Sequence, residues 1–370
     1  HPEWVLRDAA GSPVRPAGPT GGARDLTVLD PTHPEVLRWL EEVGRALAGA
    51  GFGQLSLRDL ESGALAGTRH DPAQGTAEAY RKALGALRQG LGSEGVLIGE
   101  RAPLAASIGL LTVVRLSPSP ERRGAAPDAA SALRSVLMHA PLHQRLWLHE
   151  LGPLGLDETG REDAELDGLV GLTAICGASP VVRLGLEPTS AAGAHWLHQL
   201  VPPSGRVPER LAPWDPESPL CTRFPDGGVL LLRLNTAGRE QDLEIELAPL
   251  GLRAPLHAWD VLADQPVEVR DDRLHIPDVP GRGCALIRLA PRDARARVVS
   301  STLHATGGGV EVSRLRSEPG GLTRLRLALP GQRRGTVRLA LPSNEVLTLQ
   351  VAFRESLELC ASGERVEDTS

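Results

Sequence analysis

Aromatic residues are scarce in this chain: six Trp, three Phe and one Tyr among 370 residues, or 3%. With so few rings, each tryptophan counts as a candidate stacking surface. Lysine is nearly missing as well, since Lys82 is the single lysine among 40 Lys and Arg, and the formal net charge is −6. That balance removes the electrostatic case for nucleic acid or an anionic membrane as partner. The four cysteines, Cys176, Cys221, Cys284 and Cys360, form no CxxC pair and no disulfide framework, so reduced, buried thiols are expected. No run of 18 apolar residues is present, which leaves no candidate membrane-spanning helix. The chain opens on His1 with no signal-peptide pattern, and a cytoplasmic location is expected. It contains no GxSxG, and its glycine-rich stretches, GGG at 307–309 among them, lack the strand–loop–helix setting of a phosphate site. No nucleotide, metal or flavin signal appears, so no cofactor is expected.

What the chain does contain is a change of pattern near residue 205. Up to about residue 204, short apolar segments alternate with amphipathic ones. Helices are predicted over Pro34–Ala48, Ala73–Leu91, Ala129–His139, Glu162–Cys176 and Ala191–Leu200. Strands are predicted over Gln54–Leu57, Val96–Ile98, Leu110–Leu116, Arg145–His149 and Val181–Leu184. Strands alternating with helices mean parallel β-strands joined by crossover helices. Beyond residue 205, GGVLLLRLNTAG, DLEIELAPLG, PVEVRDDRLHIPDV and GCALIRLAP alternate apolar and polar residues between turn signals, as an antiparallel sandwich does. The reading is an α/β region over 1–204, a β-sandwich over 205–295, further strands over 296–362 and a disordered tail over 363–370.

Several stretches resemble glycoside hydrolase family 36, the α-galactosidase or melibiase family. HPEWVLRDAAGSPV (1–14) resembles the segment after its third barrel strand, and LDPTHPEVLRWL (29–40) the next loop and helix. GFGQLSLRDLESGAL (51–65) resembles the fourth strand, RAPLAASIGLLTVVRLSPSP (101–120) the fifth-strand exit and sixth strand, and RLWLHE (145–150) the seventh. HAWDVLADQPV, GRGCALIRLAP and SSTLHATGGGVEV resemble its C-terminal β-domain. The resemblance implies a partial (β/α)8 barrel, strands four to eight, followed by an all-β antiparallel sandwich. It implies α-galactoside glycans as ligands, and an upstream polypeptide or partner chain that completes the barrel.

The resemblance also implies retaining hydrolysis, which needs two carboxyl groups about 5–5.5 Å apart across the sugar. The family's nucleophile closes its fourth strand in a Lys-x-Asp pattern; the matching positions here are Ser56 and Arg58. The acid/base aspartate follows the sixth strand, four residues after an arginine. Counted from Arg115, that position is Ser119. Both acids are therefore replaced. The family's Cys-Gly after the fifth strand becomes Glu100–Arg101, and its Asn-Asp-x-Asp end of the seventh becomes His149–Glu150–Leu151–Gly152.

Two residues are available as stand-ins. Asp59 is one step past the nucleophile position, and strand parity turns it away from the site unless a bulge intervenes. Glu121 is two residues past Ser119. Trp4 and Trp147 are the candidate stacking rings, and Glu100, Arg115, His149 and Glu150 the remaining candidate substrate-binding groups. Arg58 and Glu100, on neighbouring strand ends, are expected to pair and fill the old sugar pocket. His139, His143 and His149 lack the converging geometry of a zinc site. His195 and His198, beside Trp196, read as a solvated helix face. The expectation is a divergent α-galactosidase-like protein that has lost retaining hydrolysis and acts as a weak glycan binder or scaffold. The alternative is an active α-galactoside hydrolase using Asp59 and Glu121.

Overall fold

Helix α1 (Pro34–Gly49) starts where the sequence places a cap: Nδ1 of His33 accepts from the Glu35 amide, and Pro34 fills the first turn. It lies against helix α2 (Thr76–Leu91), which buries Ala79, Tyr80, Leu84, Leu87 and Leu91. The two helices cross at glycines. A Cβ on Gly90 would sit 1.9 Å from the Glu41 carbonyl oxygen, so no larger residue permits this approach. The computed structural model describes residues 1–16, 26–116, 129–139, 142–154, 163–182, 191–210, 212, 218–253, 255–318, 322–362 and 365–368. They form two compact units, 1–125 with 142–152, and 126–141 with 153–370.

The first unit is built on a parallel sheet of β1 (Gln54–Leu57), β2 (Val96–Glu100), β3 (Val113–Arg115) and β4 (Leu148–Glu150), in that spatial order. A short helix, α3 (Leu104–Ser107), stands between β2 and β3. Register matches Leu57 to Gly99, Glu100 to Arg115 and Arg115 to Glu150. One sheet face carries Leu97, Val114 and Trp147 into a core with Tyr80, Leu84, Leu87 and Leu91 of α2. The other carries Ser56, Ile98, Val113 and Leu148, and then the charged strand ends. The edge strand β1 is only half-buried.

In the second unit, helices α4 (Ala129–His139), α5 (Asp163–Cys176) and α6 (Ala191–Leu200) precede the antiparallel strands. Strands β5 (Pro153–Leu154) and β6 (Val181–Val182) pair with each other in parallel. The strand read at Val181–Leu184 therefore does not continue the four-stranded sheet, and residues 183 and 184 lie outside the described region. Among the described residues, four of the five expected parallel strands lie in one sheet. A six-stranded sheet faces a three-stranded one. The larger runs β12 (Gln265–Pro266), β11 (Leu256–Asp260), β15 (Cys284–Pro291), β9 (Val229–Leu234), β8 (Leu220–Arg223), β7 (Glu209–Arg210). The smaller runs β10 (Gln241–Glu246), β14 (Arg273–Val279), β13 (Glu268–Arg270). Leu231, Ile245, Leu274 and Ile287 meet between them, the layered core of a sandwich.

Helix α5 covers the six-stranded sheet's outer face. Gly168 to Cys176 are all buried, and a Cβ on Gly171 would meet Leu232 at 2.8 Å and Cys284 at 3.0 Å. A helix apolar all round has to be enclosed on several sides. Helix α5 packs on β15, β9 and β8. The last sheet is organised by the long hairpin of β18 (Thr323–Ala340) and β19 (Val346–Ser362), joined by β16 (Arg297–Ser301), β17 (Val312–Ser317) and β20 (Arg365–Asp368). Because β20 pairs Asp368 with Leu359 and Arg365 with Ser362, the tail expected to be disordered contributes a strand. No helix among the described residues is long and apolar enough to cross a membrane.

Candidate functional site

Parallel strands in register bring their last residues side by side. Glu100, Arg115 and Glu150 close β2, β3 and β4 on the same sheet face, and Arg58 follows β1 at the matching step. The result is a row of alternating charge across four strand ends. Arg115 Nη1 donates to Glu100 Oε2 at 3.1 Å, and its Nε donates to Glu150 Oε1. Arg58 Nε lies 3.8 Å from the same Glu100 oxygen.

The row is buried at its centre and open at one end. The Glu100 side chain is 2% exposed and that of Arg115 11%, whereas that of Arg58 is 52% exposed. Burial pulls the Arg115 guanidinium downward. Hydrogen bonds and charges from Glu150 and Glu100 outweigh that and hold it above its ordinary value. Arg58 and Glu100 do meet, but the closer partner of Glu100 is Arg115. Sequence reasoning marked Arg115 and Glu150 singly and missed that they bridge. Parity could have found the bridge, since each is the terminal residue of its strand and the signs alternate.

Asp59 lies beyond strand geometry. Its φ is 54°, in the left-handed region, where it precedes a 3-10 turn over Leu60–Ala64. Strand parity therefore stops applying one residue before it, and the turn decides its direction. Arg101, also left-handed at φ 55°, places Nη1 3.8 Å from Asp59 Oδ1 and Nε 2.5 Å from Glu61 Oε1. A cavity of about 360 Å³ lies beside Arg58, Asp59 and Ser62, walled by Val28, Val36 and Leu40. Ser119 and Glu121 lie outside the described residues.

The opposite sheet face explains the histidine and Trp147. Trp147, read as a stacking ring, is 5% exposed and sits in the helix-facing core. Its indole N–H donates to His149 Nε2 at 3.0 Å. The His149 amide donates to His143 Nδ1 at 2.8 Å, so the neutral His143 ring carries its proton on Nε2, a buried atom with no hydrogen-bond partner. Burial pushes His143 below the ordinary histidine range. His149 and Glu150 thus point to opposite faces, which rules them out as a joint acid/base pair.

Trp4 lies elsewhere in the unit: its indole N–H donates to Glu35 at 3.3 Å and its ring neighbours Trp39. Sequence reasoning also missed a buried knot that ties the N-terminal segment down. Asp30 accepts from Thr32 Oγ1 at 2.8 Å and the His70 amide at 2.5 Å, and Arg69 Nη1 lies 3.5 Å away.

No family model matches the chain. Solved structures do. A GH27 β-L-arabinopyranosidase from Geobacillus stearothermophilus aligns with a TM-score of 0.58 at 13% identity, over 78% of this chain and 67% of that one. Alpha-galactosidase I from Mortierella vinacea aligns at 0.54 and 10%, over 68% and 71%. The isomalto-dextranase of Arthrobacter globiformis T6, complexed with panose, aligns at 0.53 and 12%, over 92% and 72%. The chain spans about two thirds of the first of these. At such identities the likeness is one of architecture: the chain shares the fold of these enzymes.

Proposed function

We propose that this chain is a relative of the family 36 α-galactosidases whose strand ends no longer perform retaining hydrolysis, and that it acts by binding glycan or as a scaffold. One observation carries the reading: Glu100 and Glu150 share the guanidinium of Arg115. A retaining site keeps its two carboxyls apart so that a sugar ring fits between them. Glu100 and Glu150 stand at neither of the two matched positions, and because Arg115 binds both, neither replaces the lost acids. Arg58, at the position where the family's nucleophile is expected, carries the wrong charge to attack an anomeric carbon. Asp59 is engaged by Arg101.

The test is release of a chromogenic phenol from an aryl α-galactoside. The parent chain is expected to give no release above buffer. Turnover abolished by Asp59→Asn or Glu121→Gln would establish the displaced-carboxylate hydrolase instead.

A further inference from the structure

Strand β17 pairs with β18 on one side, and among the described residues nothing pairs with it on the other. The phase of that pairing decides which backbone groups are left over. The Glu318 amide donates to the Leu322 carbonyl at 2.7 Å, and hydrogen-bonded pairs alternate along an antiparallel ladder. Arg316 with Arg324 and Arg314 with Arg326 are therefore bonded pairs, and the N–H and C=O groups of Leu315 and Ser317 point off the sheet. The last described strand, β20, lies on the other side of this sheet, beyond β19.

The face beside this open edge is cationic. Leu315, Leu325 and Leu327 turn to the core, so the arginines that alternate with them turn outward. Arg314 stands directly opposite Arg326, and Arg316 directly opposite Arg324, at the ~5.5 Å Cα spacing of bonded pairs. Glu318 binds Arg324 Nε at 2.7 Å, and Glu358 stands opposite Arg326 on β19. Among the described residues Arg314, Arg316 and Arg326 have no carboxylate within 4.0 Å. Like charges placed directly opposite each other weaken a sheet. Guarding a free edge against self-pairing needs charge on the edge strand alone, whereas Arg324 and Arg326 lie one strand inside it.

We infer that the edge of β17 and these four arginines form a docking surface for an acidic peptide segment, which joins the sheet as an added strand. An extended segment repeats its side chains on one face every two residues, about 6.7 Å, as β17 does, so alternate carboxylates meet Arg314 and Arg316 in succession. Arg326 and Arg324 behind them deepen the positive potential. The backbone decides between an acidic peptide and a nucleic acid strand. Leu315 and Ser317 each present a donor and an acceptor; a peptide answers both, whereas a phosphate backbone supplies acceptors alone. A second copy pairing through its own β17 would bring arginines against arginines, which disfavours that occupant. This surface belongs to the second unit, and the inference does not depend on whether the strand ends of the first unit hydrolyse a glycoside.

Fluorescence anisotropy tests it, with a labelled peptide of alternating Glu and Thr and its Gln–Thr counterpart, each titrated with the full chain at low salt. The Glu peptide is expected to bind at least tenfold more tightly than the Gln peptide, and to weaken as salt is raised. Arg314→Thr and Arg316→Thr, at exposed strand positions, are each expected to weaken binding at least threefold with an unchanged circular dichroism spectrum. Ser317→Pro deletes an amide that faces away from β18, so the ladder loses no bond, and it is expected to weaken binding at least fivefold. Ser317→Thr keeps that amide and is expected to bind as the parent does. Arg354→Thr removes an equal charge from β19, away from the edge, and is expected to bind within twofold of the parent. No binding of the Glu peptide at about 1 mM would overturn the site. So would equal binding of the two peptides, Ser317→Pro binding as the parent does, Arg354→Thr weakening binding as much as Arg314→Thr, or a labelled oligothymidylate binding more tightly than the Glu peptide.

Discussion

Removing Arg115 tests the charged row most directly. Arg115→Met keeps much of the side chain's length and apolar stem while deleting the guanidinium shared by Glu100 and Glu150. Both carboxylates are almost fully buried, at 2% and 5% exposure. Breaking a buried ion pair from one side typically costs about 3–5 kcal/mol, because a charge is left without its partner. At 1.4 kcal/mol per decade, that is roughly two to three and a half decades in an opening equilibrium. Since two compact units need not unfold together, hydrogen exchange is a better assay than a single melting curve. Peptides spanning Val96–Glu100, Val113–Arg115 and Leu148–Glu150 are expected to lose that much protection at pH 7.5. Adding Glu100→Gln and Glu150→Gln to Arg115→Met should recover part of the loss, because neutral amides carry no unpaired charge. Arg58→Ala, on a half-exposed cation 3.8 Å from its partner, should cost within about 1 kcal/mol. If Arg115→Met left strand protection within threefold of the parent, the row would not be a buried ionic bridge.

The second unit supplies two predictions of opposite sign in pH. Burial, with Asp163 and Asp260 nearby, raises Asp167 to about 6. Its folded value lies above the unfolded 3.8, so stability drops as pH rises from about 4 through about 6. Asp167→Asn should gain about 1–2 kcal/mol at pH 7.5, the full ~3 being discounted for partial exposure, and nothing below pH 4, as read by urea denaturation. Burial instead depresses His304, whose ring bonds Thr306 Oγ1 and the Pro202 carbonyl, each at 2.9 Å, and also depresses His257. Their contribution is whole above the unfolded value of about 6.5 and is lost as pH falls below it. In the Asp167→Asn background, where the carboxyl no longer offsets it, this acid-side loss should begin near pH 6.5; a flat profile from pH 7 to 5 would refute the assignment.

Much of the scaffold is legible in the sequence because it rests on local chemistry. The helix at Pro34 announces itself by its cap, proline and apolar stripe. Four strands of the parallel sheet follow from short apolar runs between helical ones. The helix at Asp163–Cys176 is legible too, but its company is not: a periodic pattern cannot tell which layer a fully apolar helix will join. The strand at Arg365–Asp368 escapes the pattern because a polar terminal segment carries no hydrophobic alternation, and it is held by backbone pairing with β19. Trp147 shows the same limit on a single residue. A tryptophan near a strand end looks like a ligand platform until the register puts it on the helix face. For Asp59, parity predicts the direction of a strand residue, but the backbone has already left the strand.

The row also bears on how hydrolysis could be restored. Putting back the family's aspartate by Arg58→Asp is the smallest repair on paper, yet its surroundings have changed. The new carboxylate would stand close to Glu100, with Glu150 two strands away and Arg115 the one guanidinium left among three acids. Like charges a few ångströms apart in a partly buried site resist joint ionisation, so one acid would hold its proton into the neutral range. Arg115 would still hold Glu100 and Glu150, and Ser119 would still stand where the family's acid/base aspartate is expected. Arg58→Asp alone is therefore expected to give no turnover of an aryl α-galactoside and to lower stability more at pH 7.5 than at pH 5, measured by urea denaturation at both. Turnover from this single change would refute the reading, because it would mean that the site works with Ser119 in the acid/base position and that Glu100, Arg115 and Glu150 leave room for substrate.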